Sequence, residues 1–252
     1  MTKFGKDAPL TTSRGTVVDY LGIRNEYRKK GKVKFSMEEY IKKILEEAPY
    51  DMEGIAKMLA TCHLFNIDDG AKKLSEEKAQ LFHHIVVKLL YLFRRTRQHI
   101  QTAVAFLCTR VKEPDDDNYK KLARVIQNLR GKTTMTLTME PTNSPQWLVD
   151  SLYPIHPDMK SHMGIFMTIG KGGTYTCLCK QKLNTKSSKE DKLVAIDNTM
   201  GQILLARYFS QHRGNQYRLP QYTKIIKAPY YCQRMGEHLA ASAPSIWMYQ
   251  IK

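Results

Sequence analysis

The sequence contains no apolar run long enough to cross a membrane. Its longest, IVVKLLYLF at 85–93, is short and carries Lys88. That excludes a spanning helix, and the polar, charged first residues predict no secretory leader. Cysteine is sparse: Cys62, Cys108, Cys177, Cys179 and Cys232 are odd in number and scattered. Cys177 and Cys179 stand two apart in a strand-like run and face one side, which excludes an ordinary zinc knuckle. The set reads as reduced, structural thiols of an intracellular protein, nuclear or cytoplasmic. The Gly170-Lys171-Gly172-Gly173 stretch lacks the G-x-x-x-x-G-K-[ST] order, so it is a hairpin turn and not a phosphate loop. Ser187-Ser188 has no base and orienting acid in view, which argues against a serine nucleophile.

Acidic charge is also short. Over 252 residues, 24 Asp+Glu face 40 Lys+Arg, a formal net charge of +16. Such an excess implies a polyanionic partner, most often nucleic acid, because neutralising phosphates supplies affinity. An anionic membrane surface is the competing explanation. The length suffices for one large domain or two small ones.

Residues 16–35 read as two strands around a basic turn at Lys29-Lys30-Gly31. Nothing like a complete domain precedes them, so the chain is expected to be a fragment. Ser36 with Glu39 predicts a capping box opening a helix through Leu45, with Tyr40, Ile41, Ile44 and Leu45 inward. Residues 47–74 predict loops around a short apolar segment. A second helix follows Ser75, with Ala79, Phe82, Val86, Leu89, Leu90 and Phe93 as its stripe. Its adjacent His83 and His84 predict one buried and one exposed imidazole. A third helix is expected from about His99 to Thr109, and a fourth from Asp117 to Leu129, stopped by Gly131. Arg94, Arg95, Arg97, Lys120, Lys121 and Arg124 could form a cationic rail for nucleic acid. They could equally be dipole partners and solvated charges.

From Thr133 the period changes to two: TTMTLTM, WLVDSL, HMGIFMTIG and TYTCLC predict three or four strands. Trp147 is expected beneath the sheet. His156 and His162 flank a turn without a ligand partner. After these strands comes KQKLNTKSSKEDKLVAID, Lys180 to Asp197, a basic loop running into a helix. Leu193, Val194, Ile196, Met200, Ile203 and Leu204 have the spacing of its buried face, and Ser188 with Asp191 predicts its cap. A helix with acidic residues at its mouth, entered from a cationic loop, suits a metal and phosphate site. It also suits a plain capped surface helix.

HIQTAVAFLCTRV (99–111), YKKLARVIQNLRG (119–131), WLVDSLYPIHPDMKSHMGIFMTIGKGGTY (147–175) and CKQKLNTKSS (179–188) together resemble the copia-type retrotransposon polyprotein. The likeness extends from about Phe4 to Phe209, across the end of reverse transcriptase and the start of ribonuclease H. It implies an α+β fold in four parts. Residues 1–35 would end the palm, with Tyr20-Leu21-Gly22 similar to the primer grip, and 36–132 would be a helical thumb and connection. A truncated ribonuclease H-like antiparallel sheet with one helix would occupy 133–209, followed by a tail at 210–252.

The family chemistry is RNA-directed DNA synthesis and cleavage of RNA in RNA–DNA hybrids, with two Mg²⁺ held by clustered carboxylates. Asp150 matches the first-strand Asp of ribonuclease H. Lys192 stands where the family has the Glu of the first helix, and an ammonium there repels the ion it should hold. The resemblance therefore implies an inactive chain that holds no productive Mg²⁺. Its partner would be an RNA–DNA hybrid or duplex, bound by the rail and by Lys180, Lys182, Lys186 and Lys189. The alternatives are a non-enzymatic nucleic-acid-binding module derived from a retroelement, and a nuclease that recruits Glu190 or Asp191. After Phe209 the likeness stops. Permitted codons for the tail, read with each third base joined to the next two, spell DNQSAILLPENGRALSSKRTKHLD from Lys224 onward. That string resembles the family's next block and predicts a frameshift near Ser210.

Overall fold

Two tight turns fold residues 17–36 into three antiparallel strands, β1 (Val17–Tyr20), β2 (Ile23–Lys29) and β3 (Lys32–Ser36). The expected two strands are thus three. The extra turn is Leu21-Gly22, with φ of 51° and 73°. Left-handed conformation at both central residues matches the twist of a hairpin, and glycine adopts it without a Cβ penalty. The computed structural model describes residues 14–59, 64–156 and 158–212. Cys62, Cys232 and nearly all of the expected frameshifted tail lie outside them.

Helix α1 (Glu38–Glu47) begins without the Ser36–Glu39 box. Ser36 is still paired with Arg24 in the sheet, and Glu39 reaches Lys42 at 3.0 Å instead. Ile41 and Ile44 are buried as expected, with Tyr40 and Leu45 against the same core. Helix α2 (Glu76–Phe93) buries Phe82, Ile85, Val86, Leu89, Leu92 and Phe93. Both His83 and His84 are exposed, correcting the expectation of one buried ring; His84 faces Glu47 at 3.2 Å. Helix α3 (Gln101–Arg110) and helix α4 (Asp116–Arg130) complete the helical layer. The Asp115 carboxylate caps α4 by accepting the Asn118 N–H at 2.7 Å. Burying each large aliphatic side chain of this core contributes about 1.5–3 kcal/mol.

TTMTLTM and WLVDSL do not form separate strands. The last three residues of the first run and all of the second belong to one long strand, β4 (Leu137–Leu152), whose register shifts between Pro141 and Gln146. β4 pairs with β3 through Leu137–Met139 and with β5 (His162–Lys171) beyond that point. β6 (Gly173–Lys180) closes the order β1-β2-β3-β4-β5-β6. The β5–β6 connection is the expected glycine hairpin. At Gly172 φ is +85°, and a Cβ there would stand 2.4 Å from the Thr138 carbonyl oxygen.

Helix α5 (Ser188–His212) lies mainly over β4. The molecule is therefore mixed α+β with an open antiparallel sheet, and no helix among its described residues is long and apolar enough to cross a membrane. Trp147 is buried, as expected, with Val149, Met163, Ile165 and Met167 beneath α5.

Candidate carboxylate site and cationic surfaces

Asp150 lies on β4 opposite Gly164 of β5, so no side chain stands across from it. Among the described residues, the stretch Gln146–Leu152 pairs with β5 on one side and with no strand on the other. The first turn of α5 is set against this free edge. Its cap is shifted by one residue from the expected Ser188–Asp191 pair. Ser187 Oγ accepts the Glu190 N–H at 3.2 Å, and Glu190 Oε2 accepts the Lys186 N–H at 2.7 Å. Glu190 is thereby committed to the cap. Asp191 turns inward and is fully buried, and neither of its carboxylate oxygens has a hydrogen-bond partner.

The buried face of α5 is Asp191, Ala195 and Thr199. This corrects the expected stripe: Leu193, Met200 and Leu204 are exposed, while Ile196 and Ile203 pack at the margin of the sheet core. Small side chains at every fourth position let the helix axis approach the sheet closely, and the bulkier apolar side chains are turned away.

Lys192 Nζ stands 3.7 Å from Asp150 Oδ1, with the side chains 23% and 40% exposed. Burial pushes the Asp150 carboxyl above its ordinary range, and Asp191 pushes the same way. The Ser151 N–H and Lys192 oppose them. Positive charge beside the carboxylate thus comes from the protein's own ammonium. Among the described residues no three His, Cys, Asp or Glu side chains gather as a metal site. Asp150 with Lys192 does not fit a magnesium pair, because the ammonium both neutralises the carboxylate and repels the incoming cation.

The cationic residues are dispersed. Arg97 is a correction: its side chain is fully buried, with one guanidinium N–H donating to the Thr133 carbonyl at 2.5 Å, so it cannot reach a phosphate. Desolvation lowers its pKa to about 10. Arg94 is exposed at the end of α2, and Arg95 stacks 3.7 Å from the Tyr91 ring centre. Lys120 is exposed. Lys121 is held by Asp117 at 2.7 Å and by the Asn66 carbonyl at 2.6 Å, and Arg124 is half-buried. Lys180 pairs with Asp158 at 2.7 Å. Lys182 and Lys186 are exposed on the loop into α5, and Lys189 is exposed in its first turn. Tyr20 and Leu21 are exposed beside Gly22 at the β1–β2 turn, where the Leu21 carbonyl accepts from Tyr91 Oη at 2.7 Å.

Two histidine features escaped the sequence reading. His156 and His162, separated by a turn, meet at 3.1 Å between Nε2 and Nδ1 in a buried pair. Burial lowers the His162 pKa to about 4. His99 borders a cavity of about 330 Å³ between the start of α3 and the sheet, and both its ring nitrogens lack partners. Burial lowers its pKa to about 3. No local signal marks either feature, since each depends on how the sheet meets the helices. Comparison of the chain with models of protein families, with curated proteins and with solved structures gave no match.

Proposed function

We propose that this chain is a relic of a copia-type reverse transcriptase–ribonuclease H polyprotein, acting inside the cell, that binds nucleic acid without cleaving it. The observation that carries the reading is the 3.7 Å approach of Lys192 to Asp150. A strand carboxylate and a helix position meet where the resemblance expects a metal to be held, and one of the two is a cation. Two-metal hydrolysis needs several carboxylates converging on the ions. Here Glu190 serves the helix cap, while Asp191 is sealed inside.

The binding part of the proposal draws on the net charge of +16 and on Lys182, Lys186 and Lys189 exposed around one loop. Arg94 and Lys120 add exposed charge elsewhere, and Arg97 adds none. The test is to mix the chain with an RNA–DNA hybrid and Mg²⁺ across a salt series. Binding should weaken steeply with salt, with log affinity linear in log salt concentration, and the hybrid should stay intact. Replacing Lys182, Lys186 and Lys189 together by Gln should flatten that slope by about 2–3 phosphate contacts. Cleavage abolished by Asp150→Asn would overturn the inactive assignment. Absence of salt-dependent binding would overturn the rest.

A further inference from the structure

We propose that the cavity beside His99 binds a neutral, two-ring aromatic alcohol, with His99 and Thr96 taking its hydroxyl. The inference rests on the sheet face opposite α5 and is independent of the nucleic-acid reading.

Trp147, Val149 and Met167 turn toward α5, so alternation sends Phe166 of β5 to the other face, which the start of α3 covers. Thr176 of β6 is paired with Phe166, and Leu178 follows two residues on along the same face. Leu178 is paired with Gly164, which has no side chain to fill the space between sheet and helix. Leu137 of β4 and the turn Gln98–Ile100 ahead of α3 complete the walls. Met135, Thr136 and Lys171, all exposed, mark the entrance. The polar groups of the lining differ in what they have left to give. Gln98 is committed, its side-chain amide donating to the Gly173 carbonyl at 2.7 Å. Thr96 Oγ1 and both ring nitrogens of His99 are buried without a partner, and Thr96 as a whole is only 4% exposed. Buried polar atoms are nearly always hydrogen-bonded, so two orphaned side chains on one cavity point to a ligand that pairs them. Water could pair them too, but it would wet the apolar wall of Leu137, Ile165, Phe166 and Leu178. A molecule with an apolar body and a polar head satisfies both.

Volume sets the size of the body. An apolar cavity of about 150 Å³ holds one benzene, and this one, at about 330 Å³, has room for two fused rings. Charge sets the head. Among the described residues Lys171 is the one charged side chain on the lining besides the imidazole, and it stands at the entrance, paired with Glu140 at 3.2 Å. An ionic head inside would therefore meet no opposite charge. Burial holds the His99 pKa at about 3, so the imidazole is neutral, with one nitrogen accepting and the other donating. An aromatic hydroxyl keeps its proton near pH 7, as that of tyrosine does. It donates to the accepting nitrogen of His99 and itself accepts from the Thr96 hydroxyl.

The experiment is equilibrium dialysis of the full chain against 2-naphthol, with far-UV circular dichroism to confirm folding. One molecule should bind per chain, with a Kd of about 1–100 µM for a ligand of this size. Naphthalene, which lacks the hydroxyl, and 2-naphthoate, which is charged, should each bind more weakly by about 10-fold or more. His99→Phe keeps a ring and removes both nitrogens, so 2-naphthol should lose about 10-fold and bind no better than naphthalene. Leu178→Trp should fill the space and abolish binding of both. If either variant unfolds, magnetic resonance of the unmodified chain decides instead: the ring protons of 2-naphthol should show nuclear Overhauser contacts to the methyls of Leu137 and Leu178. No binding, equal binding of naphthalene and 2-naphthol, or contacts to other residues would overturn the proposal. Displacement of 2-naphthol by adenine would overturn it in favour of a nucleobase pocket.

Discussion

Lys192→Glu inverts the charge that faces Asp150, and its effect can be worked from the geometry. At 3.7 Å an ion pair in a medium of effective dielectric 20 is worth about 4.5 kcal/mol before screening. The side chains are 40% and 23% exposed, and water reduces the net contribution to about 1 kcal/mol. Exchanging that attraction for a repulsion of similar size, with buried Asp191 nearby, should lower stability by about 2 kcal/mol. In a chain of this length that is about 4–8 °C in Tm. The substitution also supplies the carboxylate that a divalent cation needs. Mg²⁺ at ten times its Kd should restore about 1.4 kcal/mol. Thermal denaturation followed by circular dichroism, in Mg²⁺ and in chelator, reads both numbers. The unmodified chain should melt within about 1 °C in the two buffers. A K192E chain that melts like its parent and ignores Mg²⁺ would refute the claim that the ammonium fills a cation's place.

Arg97→Met should stabilise the fold by about 1 kcal/mol in urea unfolding. The desolvation cost of about 3 kcal/mol implied by the depressed pKa exceeds the hydrogen bond to Thr133, worth about 2 kcal/mol. The same variant should leave hybrid affinity unchanged, and a large loss of affinity would return Arg97 to the binding surface. His162 has its folded pKa lowered to about 4 from an ordinary 6.5, so the folded state binds fewer protons between those values. Its stabilising contribution is present above pH 6.5 and falls by about 3 kcal/mol as pH drops toward 4. His162→Phe should remove that part of the acid-side loss while the share of His99 remains. Equal pH dependence in both chains would count against the buried neutral pair. Gly172→Ala should cost about 2 kcal/mol or more, from left-handed strain and the contact with Thr138; a neutral result would mean the turn is not held as described.

Much of the helical layer was legible from its amphipathic period. Helix α4 announced its end through Gly131, and Ile41, Ile44, Phe82 and Leu89 fell on their predicted inner faces. The failures have particular physical causes. Leu21-Gly22 hid a turn because it sat inside an apolar run, and only the glycine hinted at positive φ. TTMTLTM and WLVDSL read as separate strands, whereas the ladder shifts register between Pro141 and Gln146 and continues.

In α5 the period was right and the face was wrong. Leu193, Met200 and Leu204 carry the stronger pattern, yet close helix–sheet approach selects Asp191, Ala195 and Thr199. At the candidate site, Asp150 and Lys192 were both singled out from the sequence, but no local pattern sets them 3.7 Å apart. The sealing of Asp191 was not legible, because it depends on a cap displaced by one residue. Arg97 was misjudged because it stands in a run of basic residues at the end of α2, and nothing local reports that its guanidinium turns inward to the Thr133 carbonyl.

The pairing of β3 with the first residues of β4 ties the N-terminal meander to the later half of the chain. A gene boundary or protease cut placed after residue 132 would look innocuous on a linear map. It would strip Val33–Phe35 of their hydrogen-bonded neighbour and leave the severed half with a sticky border of bare backbone amides. Expression as two separate pieces should therefore yield aggregates, and co-expression should let the halves re-join along that seam.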